Sequence, residues 1–240
     1  MFDGQRIICI APCYNELHKI DQVVARVQQT GIVDEMLVVD DGSTDGSPAT
    51  AQALGATVVS LGKTIGVGAA IRRGIEYALQ HGYDIMVIIA GNNKDNPQEI
   101  ERLLVPITRD GYDFVQGSRF AKGGVYSAMP LYRILATRIH PLLFSLVTGR
   151  WVSESTNGFR AFKASLFHDS RINLWQDWLD HYELEPYLYY KVIKLGYKTT
   201  EVPVTKTYPP KELGYTKMKP VTGWWSILRP LLLLATGIRK

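Results

Sequence analysis

Short apolar runs separated by amphipathic stretches set the rhythm of this chain. Residues 7–11 (IICIA), 35–40 (EMLVVD), 56–60 (ATVVS) and 84–89 (DIMVII) read as strands, the last being the near-continuous apolar run expected of a strand covered on both faces. Between them, 17–30 carries Leu17, Ile20, Val23, Val24 and Val27 at helical spacing, 45–54 offers Asp45 or Ser47 as a cap, and 66–81 reads as a third helix. The alternation of strand and helix requires a parallel sheet with right-handed crossovers. Further on, 97–108 reads as helix, 113–116 as strand, 121–130 as a basic, Gly-containing loop, 131–148 as a long amphipathic helix and 183–195 as helix, with a last strand beginning near Thr200.

The first two strands end in polar, turn-forming residues: Pro12-Cys13-Tyr14-Asn15-Glu16 and Asp40-Asp41-Gly42-Ser43-Thr44-Asp45. In an open parallel sheet, ligands bind outside the carboxyl ends of the strands, so these groups face a cleft and suit a nucleotide. Asp40 and Asp41 can accept from a base imide or a ribose hydroxyl, with Pro12, Tyr14 and Glu16 as the adjacent wall and Tyr14 offering a stacking face. The competing reading is that residues 41–45 only make a turn and a helix cap. Lys63, with Gly66 and Gly68, brings a cation and backbone N–H groups toward a diphosphate; alternatively, the glycines only permit tight helix packing. No GxxxxGK[ST] loop is present, which disfavours a phosphate-cradling NTPase.

At 240 residues and 46% hydrophobic content, the chain fits one large α/β domain, with a last segment of different composition. A net charge of +4 without a long Lys/Arg run argues against a nucleic-acid groove and for a phosphorylated substrate or an anionic membrane surface. The two cysteines, Cys9 and Cys13, have spacing suited neither to a disulfide framework nor to zinc, and are expected as reduced thiols of a cytoplasmic protein. The amino terminus enters a strand directly, without an export signal.

Six tracts occur in one order: Ala11–Glu16, Val38–Ser43, Gly66–Ala70, Gly117–Arg119, Thr156–Phe162 and Gly196–Val204. In this order the chain resembles a family 2 glycosyltransferase of the GT-A fold, in the dolichol-phosphate mannose synthase-like, polyprenyl-phosphate branch. The resemblance implies a Rossmann-like α/β domain over 1–218, with a mostly parallel central sheet flanked by helices. It implies inverting transfer of a sugar from a UDP- or GDP-sugar to a polyprenyl phosphate. Transfer to a sugar hydroxyl, or a non-catalytic nucleotide-sugar-binding subunit, are the alternatives.

One departure stands at residues 90–92, where the family's metal-binding Asp-x-Asp is replaced by Ala90-Gly91-Asn92. Gly91, Asn92 and Lys94 then stand at the donor diphosphate. Three accounts follow: a weak Mg²⁺ or Mn²⁺ site from Asn92, Asp95 and the diphosphate oxygens; neutralisation without metal by Lys94, Arg119 or Lys217; or loss of catalysis. Arg119 and Arg160 are candidates to stabilise the leaving diphosphate, and Asp95, Glu154, Glu183 and Glu185 are candidates for a general base. Ser118, Lys122, Arg133, Lys211 and Lys217 are expected at the acceptor phosphate by resemblance to the basic loop, its following helix and a closing G-x-S-K element.

The segment 219–240 is apolar, with Trp224 and Trp225 at one end and Arg239-Lys240 at the other. Arg229-Pro230 interrupts it, and its apolar part falls short of the roughly 20 residues that span a bilayer. It is expected as an interfacial helix at the cytoplasmic face of a membrane. Packing on the protein's own core, on a second copy or on a membrane-protein partner is the alternative.

Overall fold

The computed structural model describes residues 1–209 and 222–239. Seven strands form the central sheet: β1 (Ile7–Cys13), β2 (Glu35–Asp40), β3 (Thr57–Ser60), β4 (Ile85–Ile88), β5 (Phe114–Ser118), β7 (Arg160–Lys163) and β8 (Thr199–Pro203). Their order is β3-β2-β1-β4-β7-β5-β8. The pair β6 (Val125–Ser127) and β9 (Thr205–Thr207) makes a small second sheet. The helices are α1 (Leu17–Gln28), α2 (Ser47–Ala53), α3 (Val67–Gln80), α4 (Ile100–Arg109), α5 (Leu131–Thr148), α6 (Leu184–Lys194) and α7 (Thr222–Ala235).

Side chains alternate across the sheet, as the strand period of two demands. Ile8, Ile10, Leu37, Val39, Met86 and Ile88 face the layer that contains α3 and α6. Ile7, Cys9, Ala11, Met36, Val38 and Val87 face the layer that contains α1 and α4. Both cysteines are buried free thiols. The predicted alternation of strands and helices up to β4 is what the structure contains, with β2, β1 and β4 adjacent and parallel.

β7 was not expected. It runs antiparallel between β4 and β5, with Arg160 opposite both Ile88 and Gln116. An antiparallel strand starts where its neighbours end, so the segment leading into β7 is delivered to the carboxyl edge of the sheet. Residues 153–160 thereby join the ends of β1, β2 and β4 at one edge.

α7 packs on α5 and α6. It buries Ile227, Leu231 and Leu234 and leaves Trp225 and Leu232 exposed. Arg229 reaches Glu183 across the start of α6, with Nη2 2.8 Å from Oε1. Part of the tail's apolar surface is therefore used in the protein's own packing. Among the described residues, no helix is long and apolar enough to cross a membrane.

Candidate active site

A cavity of about 410 Å³ opens at this edge. Its wall includes Pro12, Tyr14, Glu16, Asp41, Gly91, Asn92, Lys94, Arg119, Arg133 and Glu185 from the sequence-derived set. To these the structure adds Lys206 and Tyr208. The strand ends hold the first group in place: Cys13 is in register with Asp40, and Gly91 N–H donates to Pro12 O at 3.2 Å.

The two adjacent aspartates divide their work. Asp41 reaches the cavity while its Oδ1 accepts from the backbone N–H groups of Ile65 (2.7 Å) and Gly66 (3.0 Å). Asp40 does not line the cavity; it accepts from Ser43 N–H and from the Ser60 hydroxyl, both at 2.9 Å, and so fixes the turn after β2. Lys63 is exposed outside the cavity. The glycines beside it have a packing role, because a Cβ on Gly68 would stand 2.0 Å from Leu179 O and one on Gly66 2.4 Å from Asp180 O. That close approach brings His181 and Tyr182 into the cavity wall.

Arg119 and Glu154 form a buried ion pair, Nε to Oε2 at 2.6 Å. Glu154 Oε1 also accepts from Thr156 N–H (2.9 Å) and its hydroxyl (2.8 Å), and Arg119 Nη2 donates to Thr156 Oγ1 at 3.0 Å. Burial alone would raise the Glu154 carboxyl, but the guanidinium and the Thr156 donors hold it below the usual glutamate value. The segment is anchored from β8, where Glu201 accepts the N–H groups of Ser153 and Glu154 at 2.7 and 2.8 Å. Glu154 is fully buried and absent from the cavity wall, so it positions Arg119 rather than touching substrate.

Arg160 is likewise buried behind the wall. Its Nη2 donates to Asn157 O at 2.6 Å and lies 3.3 Å from Glu185 Oε1. Glu185 is thus the one acid of the proposed base set that lines the cavity. Glu183 is buried against Arg229, and its carboxyl is raised by burial. Asp95 stands behind the wall with Oδ1 2.7 Å from Lys206 Nζ.

The region expected at the acceptor phosphate separates. Arg133, on α5, reaches the cavity. Ser118 does not: its hydroxyl, fully buried, bonds Ser153 Oγ at 2.7 Å and accepts from Phe120 and Ala121 N–H, which shapes the loop after β5. Lys122 is exposed outside the cavity, and Lys211 and Lys217 lie outside the described residues.

Lys206 and Tyr208 organise the cations. Asp95 forms an antiparallel bridge with Lys206, and Thr207 N–H donates to Lys94 O at 2.8 Å, so the two lysines come from adjoining backbones. Lys206 Nζ also donates to Asn157 Oδ1 at 2.8 Å. Tyr208 gathers the rest: Lys94 Nζ lies 4.8 Å and the Arg133 guanidinium carbon 5.6 Å from its ring centre, while Arg119 and Arg133 each place Nη1 3.5 Å from its hydroxyl. Burial, followed by the charges of Lys206 and Arg133, brings the Lys94 ammonium down to about 7. The sequence signal for both missed residues is the period of two, which puts 206 and 208 on one face of the strand that follows Val202-Pro203-Val204.

α5 presents two different sides. Arg133 and Thr137 line the cavity, while Leu131, Leu135, Ile139, Leu142 and Leu146 are exposed at helical spacing.

The chain is 30% identical over 220 residues to the polyprenol monophosphomannose synthase of Mycolicibacterium smegmatis, covering 89% of this chain and 81% of that protein. It is 28% identical to the undecaprenyl-phosphate mannosyltransferase of Micrococcus luteus, covering 89% and 87%. Glucosyl-3-phosphoglycerate synthase from Mycobacterium tuberculosis, solved with Mn²⁺, UDP and glucosyl-3-phosphoglycerate, shares the fold with a TM-score of 0.71 at 22% identity, over 99% of this chain and 82% of that one. Residues 8–171 match the model of glycosyl transferase family 2, and the chain belongs to that family.

Proposed function

We propose that this glycosyltransferase moves a sugar from a nucleoside-diphosphate sugar, UDP- or GDP-linked, to a polyprenyl phosphate held at a membrane surface. The observation that carries the reading is the two-sided α5, which turns Arg133 into the cavity and an apolar stripe outward. Such a helix suits an acceptor whose phosphate enters a basic cavity while its hydrocarbon stays in lipid. A free sugar hydroxyl has no use for the stripe. The names of the two curated relatives, both lipid-phosphate mannosyl enzymes, support the same class.

In this reading the nucleotide occupies the wall from Pro12 to Asp41, with Tyr14 against the base. An acceptor phosphate oxygen attacks the anomeric carbon. The bond from that carbon to the donor diphosphate breaks, and its electron pair leaves with the nucleoside diphosphate. A lipid monophosphate has a second pKa of about 6 and is largely dianionic at neutral pH, so it needs no general base. One displacement at the anomeric carbon inverts its configuration. The location that follows is peripheral, on the face of the membrane where nucleotide sugars are found, the cytoplasmic one.

The test is a screen of GDP- and UDP-sugars against a short polyprenyl phosphate, with products separated by mass. A sugar-phosphate lipid is expected, with inverted anomeric configuration by NMR of the isolated product. Transfer only to sugar hydroxyls would reject the reading.

A further inference from the structure

The structural neighbour solved with Mn²⁺ and UDP raises the question of whether this chain's donor site is built for a divalent ion. Its donor set does not fit one. Mg²⁺ and Mn²⁺ want hard oxygen ligands, normally with one or two carboxylates among them. At 90–92 the chain offers only the neutral side-chain oxygen of Asn92. Asp95, the nearest acid in sequence, gives Oδ1 to Lys206, while its Oδ2 is buried without a hydrogen-bond partner and away from the cavity wall. Of the wall acids, Glu16 holds Lys19 at 2.7 Å, Asp41 accepts two backbone N–H groups through Oδ1, and Glu185 lies 3.3 Å from Arg160. Among the described residues, no three acids, histidines or cysteines come together as a metal site.

What the wall does gather is positive charge. Lys206 and Arg133 both act electrostatically on Lys94, and Asp95 is ion-paired with Lys206. Glu16, which also acts on Lys94, is neutralised by Lys19. Among the described residues, these cations outnumber the acid ion-paired with them, Asp95 on Lys206. A divalent ion placed among them would be repelled, whereas an incoming diphosphate would relieve their mutual repulsion.

We infer that the chain's own cations, Lys94, Arg119 and Arg133 around Tyr208 with Lys206 beside Lys94, neutralise the donor diphosphate, so that sugar transfer here needs no divalent ion. The electron pair released with the nucleoside diphosphate is then stabilised by fixed ammonium and guanidinium groups. This inference rests on the reading of the cavity as a donor site.

Calorimetric titration of the purified full chain with UDP and GDP, in EDTA and in excess Mn²⁺, tests it together with the transfer assay in both buffers. Affinity for the preferred nucleotide within about threefold in the two buffers is expected, with product formed in EDTA. Tightening by Mn²⁺ of about tenfold or more, or product only with Mn²⁺, overturns the inference and leaves the proposed activity standing. No nucleotide binding in either buffer overturns the donor-site reading and the inference with it. Lys94→Gln is expected to weaken nucleotide binding in EDTA by about tenfold or more, and Lys94→Arg to retain it. A Lys94→Gln protein that folds, by its circular dichroism, and binds as tightly as the parent also overturns the inference.

Discussion

Replacing Glu154 by Ala removes the buried partner of Arg119. The guanidinium sits in a site where its side chain and that of Glu154 are 2% and 0% exposed, so water cannot take over the carboxylate's role. Breaking a buried pair from one side costs about 3–5 kcal/mol, because the other charge stays buried without compensation. Thr156 adds to the loss, since its N–H and hydroxyl both donate to Glu154 Oε1. With a slope of ~3 kcal/mol per M, the urea midpoint falls by about 1–1.7 M. The informative variant is the double replacement Arg119→Met with Glu154→Gln. Removing both charges leaves no uncompensated charge, so the double variant recovers part of the stability lost by Glu154→Ala, yet loses transfer activity because Arg119 lines the cavity. Urea unfolding followed by tryptophan fluorescence, with transfer assays on the same preparations, reads both quantities. A double variant less stable than Glu154→Ala would refute the argument that the uncompensated guanidinium dominates the cost.

The remaining predictions follow from packing, pH and the helical stripe. Gly68→Ala puts a methyl group 2.0 Å from Leu179 O, which is backbone, so α3 and the 179–181 segment must separate; a loss at the upper end of ~1–3 kcal/mol in thermal unfolding is expected, together with weaker nucleotide binding. His140 is buried, with Nε2 donating to Ile227 O (3.2 Å) and Nδ1 accepting from Ser155 Oγ (2.7 Å), and burial lowers its pKa from 6.5. Because the folded pKa is the lower one, the unfolded chain takes up the proton first, and stability falls as pH drops below 6.5, by at most about 1.4 kcal/mol per pH unit. Urea midpoints of the parent and His140→Gln at pH 7.5 and pH 5.5 check this, the parent losing more on acidification. Leu135→Glu with Leu142→Glu, both on the exposed stripe of α5, leaves thermal stability nearly unchanged and lowers co-sedimentation with anionic lipid vesicles by about tenfold or more.

The alternating half of the fold was legible because its signals are local. Residues 7 to 89 contain apolar runs and amphipathic helices whose periods differ, and a parallel sheet is the arrangement that such alternation permits. β7 carries no such signal. Its four residues, Arg160 to Lys163, begin and end with cations, and three of the four are buried between two other strands. What makes it a strand is the vacancy between β4 and β5, a tertiary fact that no window of sequence contains.

The same distinction explains the site. Tyr14, Glu16 and Asp41 follow strands that could be read directly, and the structure puts them on the cavity wall. Ser118 and Asp40 also sit at strand ends, but neighbouring N–H groups and hydroxyls take up their oxygens, and strand-end position alone does not reveal that competition. Lys206 and Tyr208 depend on a pairing across 111 residues that sets β9 beside the loop after β4. On the metal-free inference, Ala90 and Asn92 at the family's acid positions have a physical counterpart in that pairing: carboxylates there would form ion pairs with Lys94 and Lys206 and cancel the positive charge offered to a diphosphate.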